Sequence, residues 1–293
     1  MTEQFLIGTY TKKDSKGVYK VTLDPQKEEI TKVELAIPSQ KPAYLQVGSD
    51  KRVYAVKQID DQGGVASYSL KDDNAKMLSK VLAAGAPPAY VGLDEKRHLL
   101  YSANYHTAKV DVFKINDDGT LTQTDSVLHQ GATGPQPEQD SPHVHFADLT
   151  PDQSLVVCDL GMDLVVVYDV SADGTFSHVQ TIKTIPDDWT AHNGAAAIRL
   201  SKDGKFIYTS NRGENTIAVF EVQPDFTVKH IQSISTEGDF PRDFNLSSDE
   251  SFLLASNQNS DNLTLYKRDP ETGKLTLLQK DVACPEPVCV QRF

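Results

Sequence analysis

His143 and His145 stand two residues apart in the run Ser141-Pro142-His143-Val144-His145-Phe146. On an extended strand that spacing sends both imidazoles to one face, where groups titrating near neutrality could move a proton together. Such a pair could also begin a metal site, yet no third ligand accompanies it at a fitting spacing. No metal and no cofactor are therefore expected, and either ring could serve only to bond the backbone of a turn. Arg212 and Glu214, in Asn211-Arg212-Gly213-Glu214, offer a guanidinium able to grip a carboxylate or phosphate with two N–H groups, and a carboxylate able to activate water. The same two could instead close on each other as a surface ion pair. Arg242, directly after Pro241, is a second candidate anion ligand, or else a tie between loops through their carbonyls. Tyr10, Asn211 and Asp159 lie in polar clusters of the same kind, although Asn and Asp also make turns by bonding the local backbone. No Gly-x-Ser-x-Gly elbow, His-Glu-x-x-His helix or phosphate-binding glycine loop is present.

The elements that must position these groups repeat. A Pro or polar lead followed by an alternating strand begins at Pro42, Pro88, Pro142, Asn193, Pro241 and Pro287, at intervals of 46, 54, 51, 48 and 46 residues. One unit reads as four strands over 195–200, 206–210, 216–222 and 228–234, with Asp203-Gly204 as a tight turn. Asp118-Gly119, Asp173-Gly174 and Thr272-Gly273 supply turns to other units, where residues tolerant of positive φ are favoured. The last unit stops after one strand, over 288–293, while the N-terminus supplies three, over 5–9, 18–23 and 30–36. The sheet split between the two ends would close a ring without an open edge.

The expected fold is thus an all-β propeller of four-stranded blades, six by count, closed by pairing of the C-terminal strand with the N-terminal strands. It forms one domain over 1–293, with units at 42–87, 88–141, 142–192, 193–240 and 241–285, and a composite of 286–293 with 1–41. A sandwich would not need the fifty-residue period, and a helical solenoid conflicts with the period-2 alternation. In such a fold the loop into the first strand and the loop between the second and third strands share a face around the central channel. His143, His145, Asp159, Asn211, Arg212, Glu214, Arg242 and Tyr10 all fall in those loops or at their edges, with Asn104-Tyr105-His106, His192 and Asn257-Gln258-Asn259 beside them.

Composition narrows the partners. A net charge of −12 with pI about 5.1 and no Lys/Arg-rich run argues against nucleic acid. No basic leader precedes the first strand and no apolar run approaches membrane length, so the cytoplasm is expected, without a membrane partner. Cys158, Cys284 and Cys289 are too few and too loosely spaced for a disulfide framework or a zinc knuckle and read as free thiols.

The motifs Ser141-Pro142-His143-Val144-His145-Phe146 with Asp159-Leu160-Gly161, Ser210-Asn211-Arg212-Gly213, and Phe240-Pro241-Arg242-Asp243-Phe244 with Asn257-Gln258-Asn259-Ser260 resemble the 6-phosphogluconolactonase family of propeller lactonases over essentially the whole chain. The resemblance implies metal-free hydrolysis of 6-phosphogluconolactone to 6-phosphogluconate in the pentose phosphate pathway, a sugar-phosphate lactone as small-molecule partner, and site roles first for His143 and Arg212, then for His145 and Arg242. Members of that family have seven blades. The unit that would open with Gly-Pro-Arg-His and carry an Asn-Glu pair is missing: the chain runs from the Pro142 unit through His178 and Thr190 straight to Ala191-His192-Asn193-Gly194. The missing unit would hold an Arg and a Glu that the resemblance implies are catalytic. The alternative expectation is therefore a blade-deleted scaffold or sugar-phosphate-binding module with little or no catalysis.

Overall fold

The computed structural model describes residues 2–70, 74–133, 140–149, 155–159, 164–168, 182–224 and 227–293. In chain order the strands are β1 (Glu3–Thr9), β2 (Gly17–Asp24), β3 (Glu29–Pro38), β4 (Leu45–Val47), β5 (Arg52–Ile59), β6 (Gln62–Ser69), β7 (Lys76–Ala84), β8 (Tyr90–Asp94), β9 (Leu99–Asn104), β10 (Lys109–Ile115), β11 (Leu121–Leu128), β12 (Val144–Leu149), β13 (Leu155–Asp159), β14 (Leu164–Tyr168), β15 (Gly194–Leu200), β16 (Phe206–Arg212), β17 (Thr216–Val222), β18 (Val228–Ser235), β19 (Pro241–Leu246), β20 (Phe252–Asn257), β21 (Asn262–Arg268), β22 (Leu275–Ala283) and β23 (Pro287–Arg292). Among the described residues they form five four-stranded antiparallel sheets and one of three strands, β12-β13-β14. The Asp173-Gly174 turn and His178 lie outside the described residues. The expected split sheet is present: its order is β23-β1-β2-β3, with Ile7 opposite Val290 and Phe5 opposite Arg292.

The chain packs as two compact units, Met1–Leu35 with Phe176–Phe293, and Ala36–Thr175. In the first, β15-β16-β17-β18, β19-β20-β21-β22 and β23-β1-β2-β3 stack face to face around two apolar layers. Phe252 and Leu254 of β20 join Phe5, Ile7, Val21 and Val290 in one layer, while Leu253 and Ala255 join Tyr208, Ile217, Val219 and Phe244 in the other. Alternate residues of β20 thus meet opposite neighbours, so a strand covered on both faces reads as an apolar run rather than a clean alternation. The outer strand β22 is mostly exposed, with Leu275 its one buried residue. Cys284 and Cys289 are buried here and form no disulfide with each other. In the second unit β4-β5-β6-β7, β8-β9-β10-β11 and β12-β13-β14 stack in the same way, through Tyr54, Val91, Leu100 and Phe113 and through Tyr90, Tyr101, Ala103, Val144 and Val157. Gly92 of β8 faces Ala147, whose carbonyl oxygen would lie 2.4 Å from any added Cβ; only glycine allows that approach of the two sheets.

One polar device recurs. At the end of the second strand of each sheet a buried polar side chain is tied to a nearby loop or, for Thr9, to the first residue of the next strand. In five sheets its partner lies in the loop entering the same sheet. Asn104 Nδ2 donates to Ala86 O (2.9 Å), Asn211 Nδ2 to Thr184 O (2.8 Å) and Asn257 Nδ2 to Thr236 O (2.9 Å), and Lys57 Nζ donates to Ser39 Oγ (3.1 Å). Asp159 does the same work through His129 (2.8 Å), and Thr9 Oγ1 donates to Gly17 O (2.6 Å). Each tie satisfies a backbone or side-chain group that would otherwise be buried unpaired at the rim. Asn104→Ala removes three bonds, because Oδ1 also accepts from the His106 and Thr107 amides. Urea unfolding is expected to show a loss of about 2–3 kcal/mol, against no loss if Asn104 were only a surface turn former.

Candidate active site

In the unit Ala36–Thr175 the candidate chemistry gathers on Tyr105. His143 is buried, 8% exposed, and its ring lies flat on Tyr105, with centroids 4.0 Å apart and planes 4° apart. His145 is exposed and meets the same Tyr105 ring edge-on at 6.2 Å, so the two-residue spacing does bring both imidazoles to one aromatic. His143 Nδ1 faces the Tyr105 carbonyl at 2.9 Å. A carbonyl only accepts, so Nδ1 carries a proton and Nε2 is the nitrogen left to titrate. Nε2 faces Asp140 Oδ1 at 2.8 Å, with Ser141 Oγ at 3.4 Å. Both ring nitrogens therefore point at acceptors, an arrangement that favours the imidazolium. Burial alone would depress the pKa of His143; the Tyr105 carbonyl, the Asp140 carboxylate and the more distant Asp159 outweigh it and carry His143 above its ordinary value. The His143 contact in turn holds Asp140 below the usual carboxylate range. Asp159, fully buried, bonds the His143 backbone N–H through Oδ1 (2.7 Å) and His129 Nδ1 through Oδ2 (2.8 Å). It is thus a brace behind His143, with its oxygens turned to the fold. Leu160, Gly161, Met162 and Asp163 lie outside the described residues.

The unit Met1–Leu35 with Phe176–Phe293 holds the guanidinium candidates. Gly213 has φ 130°, and a Cβ there would sit 2.1 Å from His192 O; this turn folds the chain back and leaves Arg212 half-buried on the rim. Arg212 donates through Nε to Gly194 O and through Nη2 to Ala195 O, each at 3.2 Å, and its guanidinium lies 5.1 Å from the centre of the Phe240 ring. The expected alternative of an Arg212–Glu214 ion pair is not formed. Glu214 instead accepts from Thr216 Oγ1 (2.7 Å) and Asn211 Nδ2 (3.5 Å), and Asn211 is itself committed to Thr184. Arg242 lies over the Tyr10 ring at 5.4 Å and reaches Gln258 Oε1 at 3.4 Å. Neither guanidinium meets a carboxylate among the described residues. Desolvation, then the nearby positive charge of Arg242, lower the pKa of Arg212. Two like charges near each other raise the local positive potential.

The family model "Lactonase, 7-bladed beta-propeller" matches residues 4–175 and 170–292. The chain belongs to this lactonase family. It is 41% identical over 339 positions to a protein of Lactococcus lactis subsp. cremoris, covering 99% of each, and 34% identical over 337 positions to the 6-phosphogluconolactonase of Bacillus subtilis, covering 97% of each. A solved structure of a protein from Lactobacillus plantarum is similar with TM-score 0.96 and 46% identity, covering 100% of each chain. The propeller fold expected from the repeats is that of the lactonase family. Alignments of 339 and 337 positions exceed this 293-residue chain by 46 and 44, close to one repeat, and the two matched segments of the family model meet at 170–175.

Tyr105 and Gln258 fall in segments that the sequence placed on the same rim, without a role; Asp140, His129 and Phe240 were not singled out as site residues, since each acts through a partner that no local pattern marks. Because the pKa of His143 is raised on folding, its protonation contributes stability that is fully present below the unfolded value of about 6.5. That contribution is lost as pH rises through the folded value. Asp140→Asn is expected to bring the His143 titration down, as read from the imidazole resonances by NMR, and to shrink the pH-dependent part of stability above pH 6.5; an unmoved titration would show that Asp140 does not face Nε2 in solution.

Proposed function

We propose that the chain hydrolyses a sugar-phosphate lactone, 6-phosphogluconolactone being the compound favoured by its resemblance to the Bacillus enzyme, and that Arg212 and Arg242 bind the anionic parts of substrate and transition state. The single observation that carries this reading is the pair of neighbouring guanidiniums with no carboxylate partner among the described residues. Family membership supports the reaction class.

In this reading His143 is the general base. Its Nδ1–H is held by the Tyr105 carbonyl and its ring plane by the Tyr105 ring, so neutral His143 presents Nε2 as acceptor. Water attacks the lactone carbonyl carbon while Nε2 takes its proton. Asp140, 79% exposed, steadies the resulting imidazolium. Collapse of the tetrahedral intermediate breaks the ring C–O bond, and the imidazolium returns its proton to the leaving alkoxide, giving the hydroxy acid. Tyr10 and His145 are assigned to substrate contact, and Asp159, Asn211 and Glu214 to holding the loops, since their polar atoms are engaged within the fold. The cytoplasm remains the proposed compartment; among the described residues no helix is long and apolar enough to cross a membrane.

A second reading is a binding module with little turnover. It is favoured by a shortfall of about one repeat against relatives and by Ile198 and Leu200, which stand 61% and 57% exposed on β15; a repeat preceding that strand would have covered them. Steady-state hydrolysis separates the two. For a working lactonase, Arg212→Ala is expected to lower kcat/KM about 10²–10³-fold, and His143→Ala about 10²–10⁴-fold. A folded chain that binds 6-phosphogluconate yet never exceeds spontaneous hydrolysis is the binding module.

A further inference from the structure

Tyr10 carries a second cation. Lys12 Nζ stands 4.6 Å from the centre of the ring that Arg242 also covers at 5.4 Å, and no ion pair engages Lys12 among the described residues. Its position is set by Glu286. That carboxylate is buried, 4% exposed, and its two oxygens accept the backbone N–H groups of Lys12 (3.0 Å) and Lys13 (2.8 Å), while its carbonyl accepts the Tyr10 N–H (3.1 Å). Glu286 is anchored in turn by Asp261 Oδ1, which accepts its backbone N–H (2.8 Å). Lys13 is drawn aside to Asp261 (3.4 Å), which leaves Lys12 as the lysine of this loop beside Tyr10. Glu286 sits at φ 49° directly before Pro287, as Phe240 does at φ 66° before Pro241. Lys41, before Pro42, shares that backbone at φ 45°, so three of the six repeat leads have the conformation and the side chain decides its use. At Phe240 the side chain supports Arg212; at Glu286 it holds the Lys12 loop.

We infer that Lys12 is a specificity-determining residue of the anion site, a third cation that recognises the doubly charged phosphate of the substrate, and that Glu286 is the positioning residue that presents it. This rests on the lactonase reading for the substrate class and extends it to a loop that the sequence did not mark. Three cations suit a phosphate dianion, whereas a lactone without phosphate develops only one negative charge during hydrolysis. A point charge on a flexible stem adds attraction without the fixed fork of an arginine, so its contribution falls on binding of the charged group more than on the chemical step.

The test compares 6-phosphogluconolactone with the unphosphorylated gluconolactone. Lys12→Met is expected to raise KM for the phosphorylated lactone about tenfold with little change in its kcat, lowering the preference over gluconolactone by the same factor, and Lys12→Arg to restore most of it. Glu286→Gln is expected to lower the same preference part-way, a selective effect that general loosening of the fold would not give. An unaltered preference in Lys12→Met overturns the assignment. If the native chain hydrolyses neither lactone, the lactonase reading fails separately, and calorimetric binding of 6-phosphogluconate decides the role of Lys12. About tenfold weaker binding by Lys12→Met sustains that role; equal binding, or none by the native chain, ends it.

Discussion

The structure depends on how each sheet ends at its polar rim. Stacked sheets bury both faces of their inner strands, which removes the water that would otherwise bond the backbone where strand gives way to loop. A polar side chain at the end of the second strand meets that need, and in doing so fixes nearby loop atoms. Asn104, Asn211 and Asn257 bond loop carbonyls directly, and Asp159 bonds His129 while holding the His143 amide. The ties are internal, and candidate site residues stand next to two of them: His143 is held by Asp159 through its backbone N–H, and Arg212 follows Asn211 in the chain.

Electrostatics follows from the same rim. A chain of net charge −12 has carboxylates to spare for its basic residues, and elsewhere it uses them, as in the pair Arg199–Asp243 at 2.9 Å with Asp243 nearly fully buried. Arg212, Arg242 and Lys12 are left without such partners among the described residues, and aromatic faces support them instead. An aromatic face stabilises a cation without neutralising it, so the positive potential stays available to a ligand. His143 is arranged in the opposite sense, with a carbonyl and a carboxylate raising its proton affinity.

Much of the fold was legible in the chain itself. The recurring Pro-led phrase and the Asp-Gly and Thr-Gly turns located the sheets, and Gly119, Gly204 and Gly273 do adopt positive φ. The lone final strand pointed to the pairing of β23 with β1. The site was less legible. His143, Arg212 and Arg242 were candidates by residue type, by position in a repeat and by family resemblance, while the bonds that engage Glu214 and Asn211 depend on Thr216 and Thr184 lying within reach. Asp140 lies three residues before His143 in a stretch of sequence without strand periodicity, and Glu286 bonds the Lys12 amide across almost the full length of the chain. Neither has a local pattern to announce it.

The central claim is that the unpaired guanidiniums exist to hold the substrate's anion. A crystal structure with 6-phosphogluconate bound tests it most directly. The account predicts an anionic group of the ligand within hydrogen-bonding distance of both Arg212 and Arg242. Ligand bound elsewhere, with either guanidinium closed onto a protein carboxylate, would contradict it.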